Sequence, residues 1–380
     1  MRTKIRVCRK TFGQTLTTLL LLAGTLHAQI NPDATPATRN LYKNLQAWAG
    51  KGVYFGHQDA LAYGLNADGT RWIGDPNRSD VKTVTGQHPA VIGYDLGHLE
   101  LDSTRNLDKV PFDRMKENMV KTYLRGGLNT VSWHPNNPVD PKKTTWDKEE
   151  FTIRKILNDA GRRENYLGWL DKLANFFLDL KAPDGQLVPV IFRPFHEHTG
   201  SWFWWGADHC TPEEYTAFWQ LSVDHLLKTR KVNNLLIAYS TDVFRDRAHY
   251  LERYPGDGYA DLIGMDTYHR NAPESNATFQ AELRRMVEVL KSLSAEKGKP
   301  FAVTEMGLEQ VTVPDWWTRV LLPVMGDSGA TYFLVWRNGY DTHYYAPYEG
   351  HPSAEDFREM IRSGKVLLED GIRKQTLYRP

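Results

Sequence analysis

The chain has 380 residues, with 47 Lys and Arg against 46 Asp and Glu, and 41% of its residues are hydrophobic. Near-neutral charge without a long basic run excludes an electrostatic nucleic-acid binder, and two cysteines exclude a disulfide scaffold. The unusual number is aromatic, with 12 Trp, 18 Tyr and 15 Phe, so where those rings fall decides what they mean.

In chain order, residues 1–28 come first. They carry Arg2, Lys4, Arg6, Arg9 and Lys10 with no acidic residue, then an apolar stretch centred on Leu19–Ala23, then Leu26-His27-Ala28. Basic, apolar and small-residue regions in that order predict a secretory signal cut after Ala28. The apolar run is interrupted by threonines and is shorter than the roughly 20 residues of a membrane span. Removing this segment leaves 42 basic against 46 acidic residues, a net charge of −4, and Cys210 as a lone thiol. The expectation is an exported protein, periplasmic or secreted, with no membrane span and residues 29–380 as one domain.

Eight short apolar runs follow, at Gly52–His57, Ala90–Asp95, Asn129–His134, Val188–Arg193, Leu235–Ser240, Ala260–Asp266, Phe301–Glu305 and Tyr332–Arg337. Between them lie amphipathic stretches that read as helices. These are Phe112–Arg125, Tyr166–Leu180, Pro212–Thr229 capped by Thr211, and Thr278–Glu296 stopped at Lys297-Gly298. Near-continuous apolar strands alternating with helices predict buried parallel strands. Eight such units favour an α/β fold of the (β/α)8 TIM-barrel type, one catalytic domain with long βα loops, over an open doubly wound sheet. Most of the runs end in polar or aromatic residues, including His57, Asp95, Trp133-His134, Arg193, Asp266, Glu305 and Trp336-Arg337. In a barrel those ends converge on one mouth.

Two segments carry the chemistry. The fourth strand runs into Arg193-Pro194-Phe195-His196-Glu197-His198-Thr199-Gly200-Ser201-Trp202-Phe203-Trp204-Trp205-Gly206, a carboxylate flanked by histidines and followed by three tryptophans. The seventh ends in Thr304-Glu305-Met306-Gly307. Glycoside hydrolysis needs a protonated acid at the leaving oxygen and an ionised carboxylate across the sugar, about 5–5.5 Å apart when configuration is retained and about 6.5–9.5 Å when it is inverted. Glu197, set among rings and histidines, suits the acid, and Glu305 suits the nucleophile. The rival reading is that either glutamate pairs with a barrel arginine such as Arg193. A metal at His196-Glu197-His198 is disfavoured, because the zinc-protease helix motif needs His at i and i+4. No cofactor is called for.

These residues bring out a family likeness. The long motif from Arg193 to Gly206 resembles the acid/base motif of glycoside hydrolase family 26. The Thr304–Gly307 segment is similar to its nucleophile motif, and Trp133-His134-Pro135 and Trp336-Arg337-Asn338 match further signature positions. The resemblance runs from about residue 35 to about residue 370. It implies a retaining double displacement without metal, acting most often on β-1,4-mannan, with Glu197 as acid/base and Glu305 as nucleophile. It further implies that His196 meets the sugar 2-hydroxyl and the nucleophile, Tyr268 orients the nucleophile, and His134 serves the catalytic subsite. Trp202 would stack on the leaving-group sugar, Trp336 would floor the catalytic subsite, Arg337 would reach the sugar beyond it, and Trp146 would add a platform. Trp204 and Trp205 read as wall or core, and Trp316-Trp317 as a helix start outside the site.

The expected partner is therefore β-mannan polysaccharide or manno-oligosaccharide, handled by a monomer, with endo cleavage and mannobiose release both open. β-1,3-xylan or mixed-linkage β-glucan is the alternative substrate, and a non-catalytic glycan-binding barrel is the alternative of another class.

Overall fold

The computed structural model of the protein describes residues 29–75 and 77–380. The expected secretory signal lies outside the described residues. Eight strands form a closed barrel: β1 (Val53–Gln58), β2 (Val91–Asp95), β3 (Leu128–Trp133), β4 (Val190–Pro194), β5 (Leu235–Thr241), β6 (Leu262–His269), β7 (Phe301–Leu308) and β8 (Tyr332–Val335). Each pairs in parallel with the next, and β8 returns to β1 with Tyr332 opposite Tyr54. This is the (β/α)8 barrel expected from the strand count.

Both faces of these strands are buried, which is why they read as continuous apolar runs rather than alternating ones. Alternation is present but divides two cores. Tyr54, Leu236 and Ala302 belong to an inner cluster, while their neighbours Phe55, Ile237 and Val303 join the layer under the helices. The helix Pro36–Trp48 adds Leu41, Tyr42, Leu45 and Trp48 to the inner cluster, as do Ile372 and Leu377 near the end of the chain.

The outer helices follow the amphipathic pattern. The helix Pro212–Asp224 starts with a reciprocal cap, in which Thr211 Oγ1 accepts from the Glu214 N–H and the Glu214 carboxylate accepts from the Thr211 N–H. It continues into a wider π turn over His225–Thr229. The helix Asn276–Lys297 ends at Gly298, whose φ of 59° is the left-handed geometry that glycine adopts without steric cost. Among the described residues no helix is long and apolar enough to cross a membrane.

The ends of the described chain meet the same side of the barrel. The Ile30 N–H donates to Asp261 and Asn31 to the Val232 carbonyl, just before β6 and β5. Val366–Leu367 pairs with the start of β1, and Tyr378 Oη donates to the Gly127 carbonyl, just before β3.

Candidate active site

The polar strand ends gather at the opposite, C-terminal side. Arg193 of β4 is buried, and its guanidinium forks between two carboxylates: Nη1 lies 2.5 Å from Asp266 Oδ2 on β6, and Nη2 lies 2.6 Å from Glu305 Oε2 on β7. The other oxygen of Glu305 accepts from the Tyr268 hydroxyl, also on β6. Both oxygens of Glu305 are thereby held by donors, and a carboxylate so held stays oriented. The rival reading of Arg193 is thus resolved in an unexpected way: the pairing exists and is part of the site.

A break in the β6–β7 ladder supplies this geometry. Met265 pairs with Val303 but Asp266 pairs with Glu305, so Thr304 is skipped. An extra residue in one strand bends it and re-aims the next side chain. Thr304 Oγ1 donates to Asp266 Oδ1 at 2.7 Å, and Ser240 Oγ donates to the same oxygen at 2.9 Å. Burial pushes Asp266 up to about 7, with Arg193 opposing and Glu305 adding to the rise.

Glu197 follows β4 on a contorted turn. Phe195 and Glu197 both have positive φ, 47° and 54°, which costs about 1–3 kcal/mol per residue and persists only where surroundings enforce it. The enforcing contacts are visible: the Glu197 N–H donates to the Ser240 carbonyl, and its own carbonyl accepts from the Gly200 N–H. Glu197 is 8% exposed, and its Oε2 accepts from Trp202 Nε1 at 2.6 Å. Burial, then Glu305, Asp266 and Asp242, drive Glu197 well above the ordinary carboxyl range. Trp202 lies flat against Gly200, where a Cβ would fall 2.1 Å from the indole, so only glycine fits there.

The two glutamates line one cleft of about 410 Å³. His134, Trp146, Trp202, Tyr268 and Trp336, all named from the sequence, line it with them. Trp146 is 51% exposed and stacks at 5.9 Å on His134, and Trp202 is 38% exposed. Two other residues named from the sequence are not in this lining. His196 is buried beside it, its ring 4.6 Å from that of His134 and a ring nitrogen within 4.8 Å of a Glu305 carboxylate oxygen, and burial followed by the Arg193 charge pushes it well below the usual histidine value. Arg337 turns to Asp108 at 3.0 Å, because β8 ends at Val335 and releases Trp336-Arg337 into the following loop.

Sequence reasoning missed Asp242, Val243 and Arg270, which form another part of the lining. Asp242 directly follows β5, and burial raises it to about 6, against the Val243 N–H and Arg270. Extending the fifth run past Ser240 is the signal that would have found it. Trp204 and Trp205 are fully buried, with their indole N–H groups on the carbonyls of Pro135 and His196, so they are core. Trp316 and Trp317 are buried as well, bonded to His269 and Ser353.

His196, Asp266 and Glu305 bring ligand-type atoms within 4.8 Å of one another, but the Arg193 guanidinium already bonds both carboxylates. His198 is not in that group and packs between the rings of Tyr215 and Tyr239. A groove of about 480 Å³ on the helical exterior, beside Phe112 and Phe176, has its lysines paired with Asp102 and Asp179.

Paired carboxyl groups in opposite environments, walled by tryptophan, suit acid/base and nucleophilic work on an uncharged ring. Comparison with known proteins agrees. Residues 30–356 match the model of glycosyl hydrolase family 26. A mannan endo-1,4-beta-mannosidase of Bifidobacterium adolescentis is 30% identical over 361 residues, covering 88% of this chain and 35% of that protein. One of Bacillus subtilis is 30% identical over 239 residues, covering 60% of each. The chain thus spans about a third of the first relative and three fifths of the second. Among solved structures, a GH26 beta-mannanase from Bacteroides ovatus is 42% identical with a TM-score of 0.84, covering 88% of this chain and 96% of that one. The catalytic domain of a Bacillus sp. JAMB-750 GH26 endo-beta-1,4-mannanase is 32% identical with a TM-score of 0.85, covering 93% and 96%. The chain belongs to glycosyl hydrolase family 26.

Proposed function

We propose that the chain hydrolyses β-1,4-mannosidic bonds in mannan or manno-oligosaccharides with retention of configuration. The observation that carries this is the contrast between the two glutamates. Glu305 is fixed through both oxygens by Arg193 and Tyr268, while Glu197 is buried, driven toward its protonated form and held by Trp202. Glu305 attacks the anomeric carbon as Glu197 gives its proton to the departing glycosidic oxygen, leaving a glycosyl ester on Glu305. Glu197, now a carboxylate, takes a proton from water, and the resulting attack on the anomeric carbon frees Glu305 and restores the acid.

The cleft supports a neutral glycan. Trp146, Trp202 and Trp336 offer ring faces, and His134, Tyr268, Asp242 and Arg270 offer polar groups for hydroxyls. Relatives named as mannan endo-1,4-beta-mannosidases support mannan as the polymer. The order of basic, apolar and small residues in 1–28 supports export of the chain from Gln29 onward.

The decisive assay incubates the protein with mannan, β-1,3-xylan and mixed-linkage glucan and resolves products by length over time. Cleavage of mannan with a β-configured first product is expected. A ladder of oligomers indicates endo attack, and mannobiose alone indicates release from an end. Binding without cleavage of any of the three overturns the proposal. Sequencing the first residues of the exported protein checks the cut, with Gln29 expected first.

A further inference from the structure

The end of β2 carries a buried carboxylate that the double displacement does not use. Asp95 is almost wholly enclosed, yet every bond it makes points to one task. Its Oδ1 accepts from the Gly97 N–H at 2.7 Å, and its Oδ2 accepts from Ser132 Oγ at 2.7 Å and faces His134 Nδ1 at 2.6 Å. Gly97 is required for this arrangement. A Cβ there would sit 2.9 Å from Asp95 Oδ1, 2.7 Å from the His134 carbonyl and 2.4 Å from Leu107. The chain has closed tightly around an Asp–His pair at the inner wall of the cleft.

His134 itself lines the cleft. With Nδ1 committed to Asp95, the ring can turn no other edge toward the sugar than the one bearing Nε2. The ring is wedged in place, 4.6 Å from His196 and 5.3 Å from Phe203 at steep angles, and stacked under Trp146. No hydrogen bond from the described residues reaches Nε2, and that atom is not among the buried polar atoms lacking a partner, so it meets the open cleft.

We infer that Asp95 is a positioning residue, holding His134 through Nδ1 so that its Nε2 meets a hydroxyl of the sugar seated over Glu305. The sugar half of this inference rests on the glycan-hydrolase reading above, and the histidine half does not. The charges around the ring agree with it. Burial lowers His134, but the Asp95 carboxylate overrides that and Glu305 adds to it, so the ring titrates above its ordinary value with Arg193 opposing. Asp95 moves the complementary way: burial raises it, and the His134 charge and hydrogen bonds carry it below the usual carboxyl range. Asp108 faces the same group and feels the His134 charge, and His196 beside it is held neutral. A donor that is charged and aimed discriminates more strongly than a neutral one.

The test has two arms. In the substrate-free protein, the His134 imidazole is titrated by NMR, with H134A assigning the signal. The wild-type ring is expected to titrate above the ordinary value of about 6.5. In D95N it is expected to fall below that value. In turnover on mannohexaose, D95N and H134A are each expected to lose about 10–100-fold in kcat/KM, the scale of one hydrogen bond to a charged group. The D95N/H134A double variant should be no worse than H134A alone, and the alkaline limb of D95N should move to lower pH. An ordinary wild-type titration overturns the inference, and so does a double variant whose loss is the product of the single losses. A high titration without turnover on any mannan overturns the sugar half, together with the glycan-hydrolase reading, and leaves the pair standing.

Discussion

Trp202 and Glu197 form one unit: the indole Nε1 donates to the carboxyl Oε2 at 2.6 Å while the ring lies flat on Gly200. The residue expected only to stack on the leaving-group sugar also holds the carboxyl proposed as the acid. The ring face and the proton donor therefore move together. W202F keeps an aromatic face and removes the N–H. That N–H favours the ionised carboxylate, so its loss pushes Glu197 further up than burial and Glu305 already do. The alkaline limb of the kcat profile of W202F should move to higher pH, with kcat falling several-fold as the carboxyl loses its anchor. A pH–rate profile checks both.

Asp242 gives the opposite sign. Its charge is among the causes that raise Glu197, and it titrates at about 6 under burial. D242N removes that charge at every pH, so Glu197 releases its proton more readily. The alkaline limb should move to lower pH, and the difference from wild type should fade below about pH 6, where Asp242 is already protonated. An unchanged limb in matched profiles would separate Asp242 from the acid.

Glu197 and Glu305 should fail differently. E305A removes the atom that forms the glycosyl bond, and turnover should fall on the order of 10⁴-fold or more while oligosaccharide binding persists by calorimetry. E197Q should lower kcat by about 10²–10⁴-fold on natural glycosides, the range for general acid catalysis. It should lose far less in the first step on aryl glycosides with good leaving groups. Equal losses on both substrates would remove Glu197 from the acid role.

Arg193 holds two buried carboxylates from neighbouring strands. R193M fills the space but strands Asp266 and Glu305 without their cation, and breaking a buried pair in this way costs about 3–5 kcal/mol. Urea unfolding should show that loss near neutral pH, and turnover should collapse with it. A variant of wild-type stability and activity would mean that the carboxylates find other partners.

The barrel was legible because each parallel strand is buried on both faces and so appears as an unbroken apolar run. All eight runs are strands, with edges that coincide or are displaced by at most three residues. The two three-residue displacements fall at the mouth, where β6 and β7 continue past Asp266 and Glu305 to His269 and Leu308, and there too β8 stops before Trp336. The skipped Thr304 explains part of this, since nothing in a single strand's sequence marks the point where its register to a neighbour slips. The two glutamates were legible as carboxylates at strand ends beside rings. Arg193 was legible as a polar strand end at the mouth and as a rival partner for a glutamate, but not as the cation between Asp266 and Glu305, because that place depends on three strands meeting. Asp95 was named only as a strand end, and Asp242 not at all, for the same reason: a carboxylate at a strand end acquires a task only from what stands across the mouth. The aromatic excess divides accordingly, with Trp204, Trp205, Trp316 and Trp317 in the core and Trp146, Trp202 and Trp336 at the cleft.

Ile30 and Asn31 fasten to residues preceding β6 and β5, and Tyr378 fastens beside β3, so both ends of the described chain leave from the base of the barrel. The cleft opens at the other end of the same strands. Any tether joined at residue 29 or at Pro380, whether a support surface, a second catalytic unit or a sugar-binding module, grips the molecule from beneath. Immobilised through either end, the protein presents its mouth outward, away from whatever holds it.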